Sequence, residues 1–158
     1  MKKYLVIAIA MIIAPFTTFA QYYRTTTTVS SWGNTIDTRT TDSYGRTVGS
    51  STSSLDSWGN VNTTYSDSYG RNVGSSRSSV DSWGNVNTSY SDSYGRNIGS
   101  SRSNVDLWGN VNTSYSDSYG KNIGSSTTTT NSWGQTSTTT RDAYGKTVST
   151  STSSYWSW

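Results

Sequence analysis

Beyond residue 20 the chain contains no proline, cysteine, histidine, glutamate, phenylalanine or methionine. Without cysteine, no disulfide can staple a thin core. Without histidine, cysteine or glutamate, the usual nucleophile and base pairs cannot be assembled, and the sequence points away from an enzyme. Aliphatic residues are sparse and Ala143 is the only alanine of that region, so a conventional globular core is excluded. Charge of one sign is also lacking: nine Asp stand against eight Arg and two Lys after residue 20, a net charge of +1 compared with +3 for the whole chain. Nucleic acid as a partner therefore has no electrostatic basis.

Serine and threonine supply 58 of the 138 residues that follow residue 20, a composition that ordinarily implies disorder. Seven Trp, and eleven Tyr in the same region, argue instead for an ordered repeat. Residues 1–20, MKKYLVIAIAMIIAPFTTFA, read as a cleaved signal peptide: Lys2 and Lys3, an apolar run from Leu5 to Ile13, the Pro15 break, and small Ala20 before Gln21. The apolar run is short of the roughly 20 residues a spanning helix needs, so no transmembrane segment is expected after cleavage. The leader looks bacterial, and the expected location is secreted or cell-surface. Residues 21–158 then form a single β-repeat domain.

Tyr-Gly pairs begin at Tyr44, Tyr69, Tyr94, Tyr119 and Tyr144, and Trp-Gly pairs at Trp32, Trp58, Trp83, Trp108 and Trp133. The spacing is 25 residues throughout, with one extra residue in the first Trp interval. Fixed spacing of this size marks a repeat architecture. Each repeat divides into related halves, D-S-W-G-N and D-S-Y-G-R. Three residues before each of these glycines stands Asp, Asn or Ser, the set favoured at the first position of a type I turn, with Gly favoured at the fourth. Gly33, Gly45, Gly59, Gly70, Gly84, Gly95, Gly109, Gly120, Gly134 and Gly145 are thereby predicted to close hairpins in a left-handed conformation.

Between turns, NVNTSYS alternates so that Val86, Thr88 and Tyr90 share one face and Asn87, Ser89 and Ser91 the other. The longer NVGSSRSSV segments break parity, and a bulge at Gly74-Ser75 is predicted to restore it, placing Val73, Ser76, Ser78 and Val80 together and Arg77 opposite. The predicted fold is all-β: an elongated protein of five 25-residue strand-turn-strand units, arranged as a hairpin meander or a β-solenoid. One unit buries too little to order itself, so the units must stack. Thr40 and Thr140 replace the Tyr65, Tyr90 and Tyr115 of the middle repeats, as terminal capping units require.

No cofactor is expected. The periodic Asp residues read as turn formers, because Ser30 and Asn131 fill the same role. Asp81 with Asn85, four apart, is a weaker candidate for calcium, which needs several oxygens. Asn62, Asn87 and Asn112 open glycosylation triplets but read as strand residues. Thr25 to Thr28 and Thr127 to Thr130 resemble ice-binding threonine arrays, yet SSRSS interrupts the row in the middle repeats. The candidate assembly or binding residues are the aromatics Trp32, Trp58, Trp83, Trp108, Trp133, Tyr65, Tyr90, Tyr115, Tyr155, Trp156 and Trp158. Packing over the strand ends is the first reading of the turn Trp residues, and stacking on sugars or a surface is the second.

The half-repeat D-x-[WY]-G-[NRK]-x-[VI], as in Asp67, Gly70, Arg71 and Val73, resembles the tyrosine-aspartate repeats of bacterial RHS and adhesin-type surface proteins. That resemblance implies successive hairpins. Here Ser66 stands where those repeats have Tyr before Asp. The layout of a leader and five strand-turn-strand repeats rich in Ser, Asn, Gly and Tyr is similar to that of the curli major subunit, although only Gln21 and Gln135 represent the internal glutamines of that repeat. It implies a secreted, self-associating fibre or matrix subunit. A glycan- or surface-binding repeat module is the alternative, with a glycan or cell-surface partner.

Overall fold

The computed structural model describes residues 24–29 by their backbone and 35–153 in full. The leader, Trp32, Gly33, Tyr155, Trp156 and Trp158 lie outside the described residues. Eleven strands follow in order: β1 (Arg24–Val29), β2 (Thr35–Thr41), β3 (Thr47–Leu55), β4 (Val61–Asp67), β5 (Asn72–Val80), β6 (Val86–Asp92), β7 (Asn97–Val105), β8 (Val111–Asp117), β9 (Asn122–Thr130), β10 (Thr136–Asp142) and β11 (Thr147–Ser153). They form one antiparallel sheet in which spatial order equals sequence order. Among the described residues the sheet is open: β1 pairs only with β2, and β11 only with β10. Of the two predicted arrangements the meander is the one adopted, because every strand pairs with its chain neighbour, through a tight turn wherever the connection is described.

Nine of the ten predicted turn glycines are described, and all nine have φ between +75° and +82°. In the turn after β4, the Gly70 N–H donates to the Asp67 carbonyl at 3.1 Å and the Asp67 N–H donates to the Arg71 carbonyl at 3.0 Å. A type I turn closed by a left-handed residue gives this pair of bonds, which turns the chain back within the twist of the sheet.

Each longer strand carries its bulge against the strand before it. Tyr65 pairs with Gly74 while Ser66 pairs with Asn72, which leaves Val73 as the extra residue. Ile98, Ile123, Val48 and Val148 are passed over in the same way. The bulge thus falls one position before the predicted Gly74-Ser75 step, on the β-branched residue. Downstream of the bulge the predicted grouping holds, with Ser76, Ser78 and Val80 on one face and Arg77 on the other, while Val73 is itself the unpaired residue.

Cross-strand partners on a pleated sheet share a face. Every paired Val, Ile, Leu and Tyr of the described strands β2–β11 therefore falls on one side, the tyrosine face, for example Leu55 opposite Val61 and Val80 opposite Val86. The opposite side, the asparagine face, carries Asn62, Arg77, Asn87 and Arg102 among serines and threonines. Among the described residues no second layer covers either face. Val61, at 6% exposure, is the one buried hydrophobic residue among those described. The rest of the buried strip is polar: Thr63, Ser76, Ser78, Thr88 and Thr113 lie between the valine and tyrosine rows.

Those buried hydroxyls pair across the strands, Ser53 with Thr63 at 2.9 Å, and Ser78 with Thr88, Ser103 with Thr113 and Thr128 with Thr138 at 2.8 Å. The Tyr65, Tyr90 and Tyr115 hydroxyls lie 3.0–3.1 Å from the Ser76, Ser101 and Ser126 hydroxyls. Among the described residues no buried side-chain polar atom lacks a partner. A hydroxyl ladder thus takes the place of an apolar core, each bond contributing on the order of 1 kcal/mol.

Candidate functional site

The meander sorts its turns by kind. Turns from odd to even strands carry Trp58, Trp83, Trp108 and Trp133, and turns from even to odd strands carry Tyr44, Tyr69, Tyr94, Tyr119 and Tyr144. One end of the sheet is therefore a tryptophan row and the other a tyrosine row. Like turns recur every second strand, about 10 Å apart at twice the interstrand distance.

In the tryptophan row each Asp fixes its own turn. Asp81 Oδ1 accepts the N–H groups of Trp83 at 3.0 Å and Asn85 at 2.9 Å, while Oδ2 accepts the Asn85 side-chain amide at 2.8 Å. Arg102 reaches the same Oδ2 from β7 at 3.2 Å, as Arg77 reaches Asp56 from β5 at 3.1 Å. The Asn85 and Asn110 side-chain amides, and after them the turn N–H groups, hold the Asp81 and Asp106 carboxyls below their ordinary value. Asn85 thus presents its amide nitrogen to Asp81 in a closed turn, rather than adding an oxygen to a calcium cage. Among the described residues no three of His, Cys, Asp and Glu come together as metal ligands do.

At the tyrosine end, Arg71 Nε donates to Asp67 Oδ2 at 2.8 Å while its guanidinium lies 5.2 Å from the centre of the Tyr69 ring. Arg46 and Arg96 repeat this with Tyr44 and Tyr94. The sequence reading missed this clamp, although its signal is the Arg two residues after Tyr in D-S-Y-G-R. The N–H of Arg71 in the first case and Arg96 in the second, with the guanidinium behind it, lowers the Asp67 and Asp92 carboxyls.

The four described turn tryptophans do not pack over the strand ends. They are 71–88% exposed from Trp58 to Trp83, with Trp108 and Trp133 between those values. Each ring stands at the third position of its turn, beyond the last paired residues of the strands, and among the described residues no second layer covers it. Tyr65, Tyr90 and Tyr115 behave oppositely, lying half-buried on the tyrosine face with their hydroxyls engaged. Burial raises the Tyr65 and Tyr90 pKa values. The candidate aromatics therefore fall into two groups that do not meet, an exposed row at one end and a satisfied row within the sheet.

Gly49, Gly74, Gly99 and Gly124 do more than mark bulges. A Cβ on Gly74 would stand 2.7 Å from the Ser91 carbonyl oxygen, one on Gly99 2.7 Å from that of Ser116, and one on Gly124 2.6 Å from that of Arg141. In each case the obstacle is backbone of the next strand. The equivalent residue of β11 is Ser149, where no further described strand follows. That single exchange was the available signal.

The remaining feature is the edge. All seven residues of β11, TVSTSTS, are exposed, and none is charged. No protein-family model, curated protein or solved structure matches the chain.

Proposed function

We propose that the protein is an exported structural subunit that self-assembles edge to edge into extracellular fibres or matrix. The observation that carries this reading is the sheet margin: the eleven described strands end in an open, uncharged β11. Natural sheets usually guard such margins with proline, charge or a covering helix. Low net charge removes long-range repulsion between copies, and the resemblance to secreted fibre subunits and surface repeats points the same way. The chain from Gln21 onward is expected to polymerise with a spacing of about 4.8 Å along the fibre, followed by light scattering, dye binding and fibre diffraction. A chain that stays monomeric for days at high concentration refutes the reading.

The exposed tryptophan row favours a second reading, a repeated face for glycans or surfaces. Four outward rings at regular spacing suit stacking on an extended sugar chain. Binding predicts a blue shift of Trp emission when soluble oligosaccharides are added to unassembled chain, lost on Trp83→Ala with Trp108→Ala. Emission indifferent to every glycan tested removes it.

A further inference from the structure

The parity of the sheet determines how two copies meet. The eleven described strands alternate in direction and their number is odd, so β1 and β11 run the same way. A copy related by simple translation would bring β1 against β11 in parallel, the slightly weaker pairing. A copy turned over about the line running across the strands would pair antiparallel, but its asparagine face would continue the tyrosine face of the first. That arrangement sets the serines, threonines and asparagines of one copy beside Val80 and Val105 of the other, which are 57–59% exposed.

A third arrangement avoids both costs. Half a turn about the axis normal to the sheet brings β11 against β11 of the second copy, antiparallel and with the tyrosine faces continuous. We infer that copies of this chain join through β11 of each, about a two-fold axis perpendicular to the sheet. The inference rests on the edge-assembly reading and specifies its contact.

The sequence of β11 suits a self-facing strand. A two-fold contact sets each residue against itself or a near neighbour, so any charge would meet its own copy. The position that holds Arg77 in β5 and Arg102 in β7 is Thr152 in β11, as it is Thr52 in β3 and Thr127 in β9. Ser149 adds a second constraint. An incoming strand cannot reproduce the internal register, in which the neighbouring carbonyl approaches this Cβ position to 2.6–3.3 Å. In the two-fold contact centred on Thr150, Ser149 instead faces Ser151 of the second copy.

The absence of cysteine makes the contact directly readable. Each residue from Ser149 to Ser153 is replaced singly by Cys in the chain from Gln21, and assembled protein is oxidised. Opposed Cα atoms about 4.5–5.5 Å apart lie within the disulfide range. The expected result is a two-chain product that peaks at one position, the two-fold centre, and falls away on both sides. Thr26→Cys in β1, mixed with each β11 variant, is the control for head-to-tail docking. Ribbons that yield the β11–β1 product, or no β11–β11 product, overturn the inference and leave edge assembly standing. Two-chain particles linked through β11 that never lengthen support it and end the fibre reading. Neither ribbons nor cross-links ends both.

Discussion

At the residue scale, two sets of glycines are required for different reasons. Gly95 sits at φ +78°, and a Cβ placed there would have nothing within 4 Å, so its constraint is conformational alone. Gly95→Val should cost about 1–2 kcal/mol or more, since β-branched residues tolerate that region badly. Gly95→Asn should cost much less. Gly99, at φ +157°, is constrained in addition by the Ser116 carbonyl, so even Gly99→Ala forces two strands apart and should cost about 1–3 kcal/mol. Ser149→Gly, at the equivalent place in β11, should change stability little. Urea denaturation of the four variants checks the set, and a harmless Gly99→Ala would reject the steric account. The turn glycines were legible because Asp, Asn or Ser announces each of them three residues earlier. The strand glycines were not, because their obstacle belongs to a different strand, whose distance depends on the bulge.

At the element scale, the repeating part is a hairpin whose turn is tied by its own carboxylate. Asp67 Oδ1 accepts from the N–H groups of Tyr69 at 2.9 Å and Arg71 at 3.0 Å. Such bonds favour the ionised form, and the Asp67 and Asp92 carboxyls lie below the ordinary value of 3.8. A lowered folded pKa means that the stabilisation is complete above the ordinary value and is lost as pH falls through it towards the folded one. Stability should therefore hold from neutrality to about pH 5 and decline below about pH 4. Asn131 makes the same turn with an amide oxygen, accepting from Trp133 and Gln135 at 3.0 Å. Asp67→Asn with Asp92→Asn should thus retain the fold at pH 7 and flatten the acid decline, as followed by circular dichroism. An undiminished acid decline would shift the cause away from these turns. The hairpins and their faces were legible in the sequence because turn chemistry and period-two alternation are local. The exposure of the Trp row was not, since it follows from the lack of a second layer over the turns among the described residues, which only the assembled sheet reveals.

At the scale of the whole molecule, strand number becomes a property with consequences. An odd meander has both margins running in the same direction, and this is what selects the like-to-like contact of β11. Half a turn about the sheet normal also exchanges the two ends, so successive copies should present the tryptophan row alternately on opposite sides of the ribbon. An even meander reverses the logic. Ending the chain after Ala143 removes β11 and leaves ten described strands, with β1 and β10 opposite in direction. A translated copy then meets β10 with β1 in the antiparallel sense and with the tyrosine face continuous, so no rotation is needed. The truncated chain should assemble head to tail, with every tryptophan row on one side. Thr139 of β10 lies on the asparagine face with its partner Thr127, and Thr26 of β1 lies there with its partner Arg39. Oxidising a mixture of truncated Thr139→Cys and Thr26→Cys chains should therefore give the mixed product in excess of either like pair. A truncated chain that still joins like to like would show that composition of the margin, rather than strand parity, governs assembly.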